Sequence, residues 1–307
     1  MRSVSCCPVV AAFLFGAVSF APPAIAQVAN PADHAKAQAA QAADPGPAGE
    51  VRYRSWEYPI AVDVVGQRIA PLREENPIGP YKQPMWTATR RFPTTRVYIV
   101  PEGKMEVEYW MRATVNKDGT TAYRDLYEAE FGLPHRFQLD IYLRTDRGDS
   151  GEIMTSQQLE LRYALADWGR IAGNPTLYLE WIRHDQIEEP DQLEPKLLLG
   201  GELLPRWHWG VNFVGEFQMG GDGEREYSVR SGISYAVVDY KLSLGAECQA
   251  SWTDTQADRG NFEESVVVGP SLQYRPSPQM TMNVAPLVGV TEDSPKAQIW
   301  FNVGWEL

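Results

Sequence analysis

Acidic and basic side chains recur at every second position along several stretches of this 307-residue chain. Glu128 and Glu130 are two acids separated by a single residue, and paired carboxylates can carry out acid–base chemistry. Arg112, Arg136 and Arg144 fall on neighbouring stretches, where we expect them to neutralise the pair. A structural role for the two acids is therefore favoured over a catalytic one.

His208 is a second candidate for chemistry, because a histidine can activate a serine nucleophile. The chain has no G-x-S-x-G motif, and no serine is obviously paired with His208. Residues 184–191 (HDQIEEPD) offer oxygen ligands for a divalent cation but lack the glycine and the spacing of a calcium loop. We therefore predict no enzyme activity, no cofactor and no metal site. A hydrolase acting through His208 remains an alternative.

Strands must position these charges, because polar and apolar residues alternate with a period of two from residue 103 onward. Val107 and Tyr109 share one face of the first segment, while Glu106 and Glu108 share the other. Twelve such segments can be counted, and residues 299–307 end the chain on an aromatic-rich one. This pattern predicts an all-β fold, a twelve-stranded antiparallel transmembrane β-barrel of the outer-membrane type with a short irregular N-terminal extension. The alternative is a soluble barrel or sandwich, in which the apolar face would point inward.

The polar face of these segments would line the barrel lumen. Charges there could select solutes, or they could pair across strands into a lattice that fills a narrow barrel. The mixture of signs favours pairing for most of them. The candidates for lining the lumen are Glu106, Glu108, Arg112, Glu128, Glu130, Arg136, Asp140, Arg144, Glu160, Arg162, Glu180, Glu216, Arg230 and Glu247.

The N-terminal third has a different composition. Residues 1–26 are expected to form a secretory signal peptide, with an apolar core and Ala24-Ile25-Ala26 as the cleavage site. Residues 27–49 predict a disordered periplasmic leader. Residues 50–102 are locally basic and rich in aromatic residues and proline, and we interpret them as a periplasmic or lumen-plugging segment. Residues 95–100 could instead form a short extra strand. Residues 103–307 form the predicted barrel.

Bulk composition excludes several classes of protein. A net charge of −12 argues against non-specific nucleic-acid binding. After residue 26 no apolar run approaches the ~20 residues that a membrane-spanning helix needs. A mean hydropathy of −0.35 fits a membrane protein in which only every second residue meets lipid.

Two hairpins resemble a known family. The sequence Glu128-Ala129-Glu130-Phe131-Gly132-Leu133, followed by His135-Arg136, is similar to the second hairpin of small transporter-like outer-membrane proteins named for the meta-pathway of phenol degradation. Arg162-Tyr163-Ala164-Leu165, Asp167-Trp168-Gly169 and Leu177-Tyr178-Leu179-Glu180 resemble the next hairpin. The resemblance covers roughly residues 103–307. It implies a barrel fold and a role in transport.

The chain is therefore expected to lie in the cell outer membrane, with its N-terminal segment in the periplasm, and to pass small solutes. Specificity would come from the charged lumen and from Trp110, Tyr142 and Tyr178. The expected partners are outer-membrane lipid, an unknown small solute and the barrel-assembly machinery, which would bind the C-terminal strand; no nucleic acid is expected. The first alternative is a non-conducting barrel with a structural or surface-binding role.

Overall fold

A computed structural model describes residues 72–186 and 189–307. The predicted signal peptide (1–26), the leader (27–49) and residues 50–71 lie outside the described residues. The rest contains twelve long strands, which confirms the predicted fold class. In chain order these are β1 (Met105–Val115), β2 (Thr121–Gly132), β3 (Phe137–Arg147), β4 (Ile153–Ala164), β5 (Thr176–His184), β6 (Gln192–Leu204), β7 (Trp207–Gln218), β8 (Arg225–Val238), β9 (Leu242–Asp254), β10 (Glu263–Tyr274), β11 (Met280–Gly289) and β12 (Ala297–Glu306).

Each strand pairs antiparallel with the next one along the chain, and β12 pairs with β1 to close the barrel. In the closing register Glu306 stands opposite Glu106, and Ala297 stands opposite Val115. Closure leaves no unpaired strand edge in this sheet, as a lipid environment requires.

The barrel has the inverse polarity of a soluble protein. Leu159, Leu161 and Leu179 are 45–48% exposed on the outer surface. Glu130 and Asp140 are 0% exposed, because they face the interior. An apolar exterior around a charged interior excludes the soluble alternative, whose apolar face would point inward.

The two ends of the barrel differ. The end that carries residues 105 and 306 has mostly short connections, here called the turn end: 133–136, 165–175, 205–206, 239–241 and 275–279. The opposite end, here called the loop end, has the more polar connections: 116–120, 148–152, 185–191, 219–224, 255–262 and 290–296. The sequence pattern predicts the same arrangement: short turns at every second connection, a somewhat longer one at 167–175, and more polar connections between them.

The alternation in the sequence predicts a loop over residues 185–195 and a ninth strand that begins at Tyr240, and both boundaries were wrong. The loop expected over 185–195 ends earlier, because β6 begins at Gln192 and contains Pro195. Residues 194 and 195 do not pair with β7. Proline has no N–H to donate, but at this position the ladder to β7 needs none. Tyr240 was expected to open β9 but lies in the preceding turn at φ 57°.

Pro270 and Pro286 occupy strands on the outer face without ending them. Pairing between β10 and β11 stops at Val268 opposite Val288 and resumes in the same register at Leu272 opposite Val284. In that register Pro270 would stand opposite Pro286, so the two residues without an N–H share one gap. One local interruption of the ladder thus accommodates both prolines.

Residues 72–101, here called the inner segment, begin at the turn end of the barrel, where residues 73–82 are mostly exposed, and continue into its interior, where residues 83–101 are mostly buried. They contain two short 3-10 helices, Arg73–Glu75 and Met85–Thr87, and two two-residue strands, Pro77–Ile78 and Gln83–Pro84. The predicted extra strand over 95–100 does not form. Among the described residues, no helix has the length and apolar character needed to cross a bilayer.

Candidate functional site

The inner segment is attached to the turn end of the barrel. The backbone N–H groups of Arg73 and Glu74 donate to the Asp239 carboxylate in the β8–β9 turn, at 2.8 and 3.1 Å. The N–H of Arg206, in the β6–β7 turn, donates to Glu75 Oε1 at 2.8 Å. Carboxylates that accept from backbone N–H groups make charge-assisted bonds, which fix where the segment enters the lumen.

Two arginines of the inner segment occupy a cluster of strand carboxylates. Arg90 lies 2.9 Å from Glu108 and 3.3 Å from Glu128. Arg96 lies 3.1 Å from Glu108 and 2.9 Å from Glu128, and it also contacts Glu130. Burial alone would lower the pKa of the Arg96 guanidinium, but the surrounding carboxylates raise it well above its usual value. The arginine therefore stays charged.

These contacts correct the expected neutralisation of Glu128 and Glu130. Arg112 and Arg144 lie farther toward the loop end, and neither pairs with the two acids. Arg136 lies in the β2–β3 turn, where it pairs with Asp167 at 3.3 Å. Arg162 of β4 lies 3.9 Å from Glu128. The other countercharges come from the inner segment, so cross-strand reasoning could not find them. The basic composition of residues 90–96 was the only signal.

The backbone of the inner segment is satisfied by inward-facing side chains instead of a strand partner. The Thr94 N–H donates to Glu247 at 2.8 Å. The Arg96 N–H donates to Asn212 Oδ1 at 2.8 Å, and Asn212 Nδ2 returns a bond to the Arg96 carbonyl at 2.7 Å. The Val100 N–H donates to Gln138 at 2.6 Å. Side chains of several strands supply these bonds, which explains why residues 94–100 form no strand with the barrel.

A row of glycines makes room for the inner segment. Gly200, Gly210 and Gly232 stand opposite one another on β6, β7 and β8. A Cβ on Gly210 would lie 2.7 Å from Val97, and one on Gly232 would lie 2.6 Å from Phe92. While Val97 and Phe92 keep their native side chains, any side chain at these positions would clash with one of them. The glycines are explained by this close approach.

The remaining lumen acids near the inner segment gather around Arg162 of β4. Its guanidinium lies 3.0 Å from Asp140 and also contacts Glu160. Two groups of three carboxylates have oxygens within 4.8 Å of one another: Glu108, Glu128 and Glu130, and Glu128, Asp140 and Glu160. Guanidinium groups lie among both groups, so arginines supply the positive charge that a metal ion could otherwise provide.

His208 is buried in the same region. Its ring lies 4.5 Å from the Trp86 ring, centroid to centroid, and its Nδ1 lies 3.8 Å from Glu74. Neither ring nitrogen has a hydrogen-bond partner among the described residues, and so no serine is paired with it. Ser234 is buried directly opposite His208 in the β7–β8 register, but no hydrogen bond joins the two side chains, as activation of a serine nucleophile would require. Residues 184–191 were considered as a cation-binding loop, and two of them, 187 and 188, lie outside the described part of the chain.

Above the inner segment, the lumen holds a cavity of about 300 Å³ at the loop end. Trp110 separates the two regions: its indole N–H donates to Glu128 at 3.1 Å, and its ring packs against Arg90. Trp110, Tyr142 and Tyr178 all line the cavity, as do five of the charged candidates: Arg112, Arg144, Glu180, Glu216 and Arg230.

Other candidates lie deeper or elsewhere. Buried nearer the inner segment are Glu106, Glu108, Glu128, Glu130, Asp140, Glu160, Arg162 and Glu247. Arg124, Glu194 and Lys196 also line the cavity but are missing from the predicted set. Arg124 could have been found by extending the alternation of β2 to its first residues. Glu194 could not, because it fell in the loop expected over 185–195. Lys196 lies just beyond that loop and could have been found from the alternation of β6.

Comparisons with known proteins agree with this architecture. No protein-family model matches the chain, and no curated protein matches it. An outer-membrane channel from Pseudomonas putida F1 has a similar structure, with a TM-score of 0.51 at 13% identity over 68% of this chain and 97% of that chain. The NanC porin matches with a TM-score of 0.45 at 12% identity, over 65% of this chain and 97% of that chain. The KdgM porin in complex with disordered oligogalacturonate matches with a TM-score of 0.45 at 10% identity, over 66% of this chain and 97% of that chain.

Identities this low show the fold alone. The chain has the architecture of an outer-membrane β-barrel. Its structural neighbours include channel and porin barrels. Its own geometry adds a lumen filled near the turn end and a charged cavity at the loop end.

Proposed function

We propose that this protein is an outer-membrane channel for small polar solutes, closed in this conformation by the inner segment. The apolar exterior supports a membrane location for the barrel. The short connections of the turn end support a periplasmic position for that end and for the N-terminal segment. The observation that carries the proposal is that noncovalent contacts of side chains, and no strand pairing with the barrel, hold the inner segment in the lumen. The resemblance of residues 103–307 to meta-pathway transporter-like barrels supports the same class of function.

Hydration offsets part of the cost of displacing the inner segment. The ion pairs of Arg90 and Arg96 are buried, and the desolvation of buried charges offsets much of their attraction. When the segment moves, water can enter the lumen and solvate the exposed carboxylates. Opening therefore exchanges ion pairs for hydration and leaves the strand ladder intact.

A non-conducting, surface-binding barrel is the second candidate. The observation that favours it is the complete burial of apolar residues in the inner segment: Phe92 is 0% exposed, and Trp86 and Tyr98 are 1% exposed. Exposing such side chains costs roughly 1.5–3 kcal/mol each. A segment packed this well could serve as a permanent core, with binding confined to the loop-end cavity.

Conductance across planar bilayers separates the two candidates. The Arg96→Gln substitution leaves three buried carboxylates short of a countercharge, a change that costs roughly 3–5 kcal/mol in buried networks. We expect the fraction of time spent open to rise at least about tenfold over wild type. Lys82→Gln is the matched control, because Lys82 is exposed, belongs to the same segment and makes no ion pair with described residues. A folded Arg96→Gln barrel as silent as the control would favour the non-conducting candidate.

A further inference from the structure

The loop-end cavity is divided by charge. Three arginines, Arg112, Arg124 and Arg144, project from the adjacent strands β1, β2 and β3. We call them the arginine arc. Four acids project from β5 to β8, and we call them the glutamate arc: Glu180, Glu194, Glu216 and Glu226.

The arginine arc has an excess of positive charge. Asp146 is its one carboxylate partner among the described residues; it accepts from Arg124 at 2.6 Å and also pairs with Arg144. Arg112 stands directly opposite Arg124 in the β1–β2 register, an arrangement that destabilises a sheet. Arg112 makes no ion pair with described residues, and its buried Nε has no hydrogen-bond partner. Its guanidinium packs 5.3 Å from the centre of the Trp300 ring.

A purely structural lattice does not explain this arrangement. In such a lattice each arginine would face a carboxylate, as Arg230 faces Glu216 at 2.7 Å. Two arginines opposite each other, with one carboxylate for three guanidinium groups, leave unused donors that point toward the cavity. Guanidinium donors matched to no protein acceptor suit a carboxylate or another small anion.

The glutamate arc has the opposite excess. Lys196 lies 3.5 Å from Glu180 and also contacts Glu194, while Arg230 pairs with Glu216. Glu226 has no ion pair among the described residues. Four carboxylates therefore face two cations across the cavity from the arginine arc.

We infer that this cavity binds a small zwitterion, with its carboxylate on the arginine arc and its amine on the glutamate arc. A cavity of about 300 Å³ holds a molecule of amino-acid size, since one water occupies about 30 Å³ of liquid. The stacked rings of Trp110 and Trp300, 5.7 Å apart, give the site an apolar wall that would contact the carbon skeleton. Binding of a zwitterion does not require an open lumen. Only the further step, that this zwitterion is the solute the channel passes, rests on the proposed function.

Three probes of the same carbon length test the inference with the full-length protein in detergent micelles. 4-Aminobutyrate carries both charges, butyrate carries the anion alone, and n-butylamine carries the cation alone. Isothermal titration should show 4-aminobutyrate binding at millimolar concentration, at least about tenfold more tightly than either control. Equal binding of butyrate would overturn the zwitterion assignment. Absence of binding by all three would overturn the site itself.

Substitutions locate the binding. Arg112→Gln should weaken 4-aminobutyrate binding on the order of tenfold, and this variant should fold because it removes the repulsion with Arg124. Glu226→Gln is the second variant and should weaken the same ligand without affecting butyrate. Arg147→Gln is the matched control, because Arg147 is exposed and makes no ion pair with described residues. Unchanged affinity in Arg112→Gln and Glu226→Gln would overturn the inference.

The titrations and the conductance measurements fail independently. If the protein binds none of the probes but the Arg96→Gln variant conducts, the zwitterion site is rejected and the channel proposal stands. If 4-aminobutyrate binds but no variant conducts, the channel proposal is rejected and the zwitterion site stands.

Discussion

Arg90 and Arg96 neutralise an interior that the strands alone would leave acidic. Their guanidinium groups lie among Glu108, Glu128 and Glu130, all three of which are fully buried. In a low-dielectric interior three adjacent carboxylates repel one another strongly, so the countercharge of the inner segment is required for closure. Because both arginines precede the barrel in the sequence, moving one segment changes the charge of the lumen.

Gly232 and Phe92 offer a direct test of how the inner segment fits. A Cβ at Gly232 would lie 2.6 Å from Phe92, and overpacking of this kind costs roughly 1–3 kcal/mol. Gly232→Ala should therefore raise the open fraction in planar bilayers about tenfold. Phe92→Val in the same chain should offset part of the rise, since the smaller side chain restores the space. If the effects of the two substitutions on the open fraction simply add in the double variant, the contact between residues 232 and 92 does not hold the segment.

The charged residues show what a sequence can reveal about such a site. The alternation places Glu106, Glu108 and Glu160 on the inner face, where they are buried. It cannot show which charges pair, because a partner such as Arg96 lies 32 residues from Glu128 with no periodic relation to it. Side-chain contacts at that separation depend on the tertiary path of the segment.

The strands were predictable because their signal is local. Lipid outside and a charged lumen inside impose a period of two on every strand, and the turns fall where that period breaks. The errors occurred at Pro195 and Tyr240, where a residue typical of one element lies in the other. Residues 95–100 look like a strand for the same reason, but inward-facing side chains occupy their backbone groups.

A charged substitution on the outer face tests the orientation of the strands. Leu179 lies in the middle of β5 and is 48% exposed. Leu179→Arg should destabilise the barrel in lipid vesicles by roughly 2–4 kcal/mol, measured by denaturant unfolding. Ile153→Arg is the control, because Ile153 begins β4 at the loop end, where the cost falls to about 0–1 kcal/mol. Equal stability of the two variants would contradict a hydrocarbon environment at Leu179.

The barrel interior changes character along its axis. The loop-end cavity carries both charge excesses, whereas the strands around the inner segment contribute mainly acids. The buried acids there are Glu106, Glu108, Glu128, Glu130, Asp140, Glu160 and Glu247, against Arg162 and Arg275. The arginines of the inner segment offset this imbalance only while the segment is in place.

Once opened, the channel should therefore prefer cations. In the Arg90→Gln/Arg96→Gln variant the acids remain and two cations are removed, so the local cation concentration rises. Reversal potentials in a potassium chloride gradient should give a cation-to-anion permeability ratio on the order of ten. Adding Glu108→Gln and Glu130→Gln should lower the ratio. An anion-selective opened channel would show that the acids do not line the conducting path.

A reversible tether between the inner segment and the barrel tests the central claim most directly. A Cβ at Gly200 would lie against the Val97 side chain, and a cysteine at position 97 is smaller than valine, so Val97→Cys and Gly200→Cys bring two thiols side by side. The other cysteines of the sequence, Cys6, Cys7 and Cys248, are replaced by serine. With Arg96→Gln also present, planar bilayers should show no conductance while the disulfide is oxidised. Openings should return when dithiothreitol reduces it. Equal conductance of the oxidised and reduced protein would contradict closure of the lumen by the inner segment.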